Sequence, residues 1–150
     1  MDRELKREII VDNYQNPFHK GLVNDNSYVK ANTNNESCID NIDIELKIED
    51  GIIKDANFDG EACAISTSAT SIFLRKIIGK SLKEVETLIT NYENLIEERE
   101  YDQDLLEDLM AYDTIYLQPN RKKCALLPVE TIKKILSKIK DDDNGDKGIK

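Results

Sequence analysis

The chain has 150 residues, 39% hydrophobic and 34% charged, which is enough apolar content to bury one core without disulfide staples. With 30 acidic and 21 basic side chains, the formal net charge is -9, which repels phosphate backbones and anionic bilayers and disfavours nucleic-acid or membrane partners. No apolar run approaches the roughly 18 residues of a membrane span. The charged start Met1–Ile10 has no apolar leader core, so the expected setting is soluble and cytoplasmic.

Leu5, Ile9, Ile10 and Tyr14 recur at helical intervals and predict an amphipathic helix from Arg3 to Asn13, closed by Asn16-Pro17. An Asn-rich stretch from Lys20 to Ser37 follows, with one short strand near Tyr28–Ala31. Ile42, Ile44, Leu46 and Ile48 alternate with Asp43, Glu45 and Lys47, which predicts a strand with one apolar and one wet face. Glu49-Asp50-Gly51 is a hairpin turn into a second strand, Ile52 to Phe58, and Asp59-Gly60 breaks the pattern. Small residues from Ser66 to Ser71 then lead into Ile72, Phe73, Leu74, Ile77 and Ile78, a helix that can pack closely and stops at Gly79.

Ser81-Leu82-Lys83-Glu84 is a capping box that opens a helix to Ile96. A shorter helical segment is expected at Gln103–Ala111 and a loop at Pro119. A last helix carries Ile132, Ile135, Leu136 and Ile139 on one face, with Pro128 in its first turn. The acidic end, 141–150, reads as a disordered tail. Strands first and helices after give an α+β fold: one domain over 1–140, a three-stranded, mainly antiparallel sheet with helices packed on one face.

Three cysteines in a chain with no export signal are buried fillers, metal ligands or reactive thiols, and no pair has CxxC spacing. All three fall at expected element ends. Cys38 and Asp40 lie two apart just before a strand, so in extended backbone both side chains reach toward one side and can share a cation. Cys63 precedes a helix, where the dipole and backbone N–H groups favour a thiolate; Cys124 is expected at the start of the last helix in a comparable setting. Three thiolates and one carboxylate around Zn²⁺ would carry a net charge of about -2. Arg121 and Lys123 are the basic residues placed to offset that charge or to stabilise a persulfide, although the run Arg121-Lys122-Lys123 also reads as a solvated helix start.

The order Asn16-Pro17, Cys38-x-Asp40, Gly60-x-x-Cys63-x-Ile65-Ser66 and Arg121-x-Lys123-Cys124-Ala125-x-Leu127 resembles the IscU/NifU/SufU family over residues 4 to 140. Within it the chain is most similar to the SufU branch. Lys123 stands where the scaffold-type IscU branch has a histidine, and the extra segment near Gln103–Ala111 lengthens the third region.

The resemblance implies an IscU/SufU-like fold and a zinc site made by Cys38, Asp40, Cys63 and Cys124. It further implies that Cys38 accepts persulfide sulfur from a SufS-like cysteine desulfurase, after a partner histidine replaces it on zinc. Arg121 matches an arginine near the metal, and a downstream Fe–S scaffold or other sulfur acceptor is the next partner. The alternative is an IscU-type scaffold that builds and hands on a labile [2Fe-2S] cluster on the same residues; an acidic interaction module with unligated cysteines is the third reading. One position departs from the pattern: Ile39 stands where the family carries glycine, which bears on how readily Cys38 exchanges. His19, the sole histidine, is expected on the surface away from the cysteines.

Overall fold

The computed structural model of the chain describes residues 1–35 and 39–149, with backbone only from 141 onward. Its sheet has β2 (Asn41–Glu49) at the centre, with β1 (Tyr28–Asn34) and β3 (Ile52–Glu61) on either side, both antiparallel to it. The alternation in β2 does what a period of two requires: Ile42, Ile44 and Leu46 are fully buried on one face. Asp50 and Gly51, with φ of 53° and 73°, make the two-residue turn whose left-handed angles suit the twist of the β2–β3 hairpin.

Three strand expectations are corrected. β1 runs on to Asn34, because Ala31 and Thr33 pair opposite Ile44 and Ile42 and share their buried face. β3 does not break at Asp59-Gly60 but continues to Glu61. Gly60 has φ +131°, and a Cβ there would sit 2.1 Å from the Asn41 carbonyl oxygen, so only glycine lets the strands close at this end. The wet face of β2 is not wet throughout, since Glu45 is buried. The segment around Lys20 pairs along β3, with the Phe58 N–H donating to the His19 carbonyl and the Gly21 N–H to the Phe58 carbonyl. Val23 and Asn24 then cross over Glu45.

The apolar face is covered by helices. α2 (Ala64–Ile77) packs on β3, α5 (Pro119–Ile149) on β1 and β2, and α1 (Arg3–Gln15) on α2. α2 is central because its small residues admit neighbours closely: Ser66 through Ser71 are all buried. Their hydroxyls find partners, among them Tyr112 for Ser68 and Asn13 for Ser71. α3 (Leu82–Ile96) starts on the expected capping box at Ser81 and Glu84. The segment expected at Gln103–Ala111 is a single turn, α4 (Gln103–Leu106), followed by 3₁₀ turns at Glu107–Tyr112 and Ile115–Leu117.

Pro119 is not in a loop: it is the first residue of α5, where a missing N–H costs nothing. Pro128 is therefore well inside that helix, and Cys124 lies in its second turn rather than at its start. The α5 backbone continues as helix to Ile149, through the stretch expected to fray. Among the described residues no helix is long and apolar enough to cross a membrane.

Candidate metal centre

Three chain segments converge where β2 begins. Asp40 directly precedes β2, and the Asn35 N–H donates to its backbone carbonyl at 2.8 Å, closing the β1–β2 connection at its base. Cys63 is the N-cap of α2, with its sulfur 3.5 Å from the Ser66 N–H. Cys124 arrives on α5. Ligand atoms of Asp40, Cys63 and Cys124 all lie within 4.8 Å of one another, with Asp40 and Cys124 buried and Cys63 half-buried.

The carboxylate is held from two sides. Its Oδ1 accepts the Cys63 N–H at 2.8 Å; its Oδ2 accepts the Ser66 hydroxyl at 2.5 Å and lies 3.9 Å from the Cys63 sulfur. Burial alone would raise the Asp40 pKa, but hydrogen bonds from Ser66, from the Cys63 backbone and from the Cys124 and Cys63 thiols hold it below the ordinary carboxylate range. Cys124 goes the other way. Burial first, then the neighbouring Cys63 and Asp40, push its thiol up, contrary to the thiolate-favouring helix start expected from the sequence.

An anionic carboxylate with two sulfurs around it is a cluster that a divalent cation would relieve, because the ion's charge reverses the cost of deprotonating the thiols. The donor types suit zinc or an iron–sulfur cluster. The 3.9 Å between sulfur and oxygen is near the roughly 3.5 Å separating two ligands on one tetrahedral zinc.

Of the other expected site residues, Cys38 lies outside the described residues. Ile39 beside it is 73% exposed, so its side chain faces solvent rather than the core. Arg121 and Lys123 are exposed on the first turns of α5, and Lys122 pairs with Glu97 at 3.5 Å. His19 is on the surface, stacked on Phe18 and hydrogen-bonded to the Ala56 carbonyl. Ser66, which the sequence offers as a small packing residue and a member of the Cys63 segment but not as a site residue, touches all three clustered residues. Its signal was there: it is the third residue after the helix-capping Cys63, where a side chain and N–H both face the cap.

The NifU-like N-terminal domain profile matches residues 5–141. The chain belongs to that family. Among NifU-like relatives, the zinc-dependent sulfurtransferase SufU of Bacillus subtilis is 33% identical over 135 residues, covering 89% of this chain and 90% of SufU. The iron–sulfur cluster assembly scaffold protein IscU of Thermotoga maritima is 34% identical over 132 residues, covering 88% of this chain and 92% of that one. The crystal structure of a putative iron–sulfur cluster assembly scaffold protein for the SUF system from Fervidobacterium islandicum superposes with a TM-score of 0.77 at 28% identity, covering 91% of this chain and 99% of that one. The three-stranded NifU-like architecture expected from the sequence is thereby the fold of this chain.

Proposed function

We propose that this NifU-like chain is an iron–sulfur cluster assembly protein that accepts persulfide sulfur from a cysteine desulfurase at a zinc site. Cys38, Asp40, Cys63 and Cys124 are the ligands, and Cys38 is the acceptor. The observation that carries the reading is the meeting of Asp40, Cys63 and Cys124 from three separate stretches of chain around one buried carboxylate. Cys38 is two residues before Asp40, so covalent reach keeps their Cα atoms within about 7 Å. Bound zinc would keep its cysteine ligands deprotonated at neutral pH without redox chemistry of its own.

The chain's residues then have distinct tasks. Asp40 and Cys124 are buried and anchor the site, whereas the Ile39 side of the cluster faces solvent and receives the partner. The Cys38 thiolate attacks the outer sulfur of the desulfurase persulfide. The partner's S–S bond breaks as the new one forms on Cys38, and the partner cysteine leaves as a thiolate, so no oxidant or reductant is consumed. Arg121, three residues before Cys124 on α5, supplies positive charge for the anionic persulfide.

The near-equal similarity to IscU of Thermotoga maritima supports a second reading, in which the same residues assemble a labile [2Fe-2S] cluster as cargo for a downstream acceptor. Lys123, where scaffold-type members carry histidine, favours the first. The test is desulfurase turnover with and without this protein. Wild type is expected to stimulate it and Cys38→Ala to give no stimulation; equal stimulation by the variant would remove Cys38 from the acceptor role.

A further inference from the structure

Ser66 is fully buried and meets each of the three clustered residues, yet the sulfur-transfer reading gives it no task. Its hydroxyl lies 2.5 Å from Asp40 Oδ2 and 3.1 Å from the Cys124 carbonyl oxygen, and its oxygen and backbone nitrogen are each 3.5 Å from Cys63 Sγ. We infer that Ser66 is the positioning residue of the metal centre, holding the Asp40 carboxylate, the Cys63 sulfur and the α5 backbone at Cys124 in one spacing. The inference rests on the metal-site reading above.

The link to α5 falls at the carbonyl four residues before Pro128. In an uninterrupted helix the Cys124 carbonyl would accept the N–H four residues on, but residue 128 is proline and has none. That carbonyl accepts the Ser66 hydroxyl instead, which ties α5 to α2 at the ligand itself. A hydroxyl has one hydrogen, so the two acceptors compete for it. The short bond to the charged carboxylate is the stronger. Asp40 Oδ1 is already fixed by the Cys63 N–H, leaving Oδ2 as the oxygen that faces the sulfur. The Ser66 hydroxyl therefore decides where the ligating oxygen points, and the Cys124 carbonyl gives that hydroxyl a second acceptor when a cation occupies Oδ2.

The test is Co²⁺ and Zn²⁺ titration of the full chain, wild type against Ser66→Ala, Ser66→Thr and Ser71→Ala. Affinity is read by chelator competition and geometry by the visible cobalt bands. Ser71 is the control, a fully buried α2 serine that bonds Asn13 and the Phe18 N–H instead of the cluster. Ser66→Ala is expected to weaken binding on the order of 10- to 100-fold and to dim or shift the tetrahedral cobalt bands. Ser66→Thr, which keeps the hydroxyl, should recover most of the loss, and Ser71→Ala should lose thermal stability while binding as wild type. Wild-type affinity and spectrum in Ser66→Ala would overturn the inference alone. If that variant does not fold, a Ser66→Thr protein that folds but binds about 10- to 100-fold more weakly than wild type would overturn it too. A wild type that binds neither ion would overturn the metal centre itself, and this inference with it.

Discussion

Among the described residues two carboxylates are buried, Asp40 just before β2 and Glu45 within it, and they are satisfied in different ways. Glu45 is enclosed by neutral donors that do not ionise in the working range: the backbone N–H groups of Val23 and Asn24 and the Asn57 amide, at 2.8 to 3.1 Å. Those bonds use both oxygens, and their effect is to clasp the N-terminal segment to the sheet. Asp40 has one backbone N–H, one hydroxyl and two thiols around it. Thiols can release their protons and bind a metal as thiolates, whereas these amides cannot. The difference in donors separates a structural clasp from a place where a cation fits.

Substitution at the two sites should separate them most sharply. Asp40→Ala is expected to weaken zinc binding by at least about 100-fold, since in the proposed site it removes a ligand rather than its support. Glu45→Ala should leave zinc affinity within about twofold but cost roughly 2–3 kcal/mol in urea unfolding, because three donors lose their acceptor. Equal loss of zinc in both variants would erase the distinction.

The pH dependence of the outer cluster gives a finer test. Tyr28 donates to Asp55 at 2.5 Å on the face that carries Glu45, and this bond, with burial and the charges of Asp55 and Glu45, pushes the Tyr28 pKa up to about 12. The neutral phenol is thus favoured in the folded state. Its contribution is complete below the unfolded value, about 10, and is lost as pH rises through the folded one. Burial opposes ionisation of Asp55, but Tyr28, Asn57, the Ala56 N–H and His19 together hold its pKa below the usual range. Its contribution is present above about pH 4 and lost as pH falls through the depressed folded value. Tyr28→Phe should flatten part of the alkaline limb of a stability–pH profile and leave zinc affinity unchanged. An alkaline limb as steep as wild type would contradict the assignment.

Much of the fold was legible because period-two alternation in β2, the Asp-Gly turn and the Ser81 capping box are local signals with local causes. The site was legible in part for the same reason, since Cys63 as a helix cap needs only the helix start to be found. What was hidden depended on distant chain. Glu45 looked solvated because nothing in the irregular stretch after Pro17 announces that it will fold over β2. Gly60 looked like a strand breaker, and its role is clear only when the Asn41 carbonyl lies against it. Pro128 fits a first turn by the usual preference; inside α5 it removes the N–H four residues after Cys124, and Ser66, on another helix, donates to that carbonyl. That same long-range bond explains why Ser66 passed for a packing residue.

Metal content of the purified protein, prepared without added metal, is the most direct test of the central claim. Elemental analysis should find about one zinc per chain in a colourless solution, falling to none in Asp40→Ala and remaining in Glu45→Ala. A brown protein with iron and sulfide would transfer the site to the cluster-scaffold reading, and a wild-type protein with neither zinc nor iron would contradict the account.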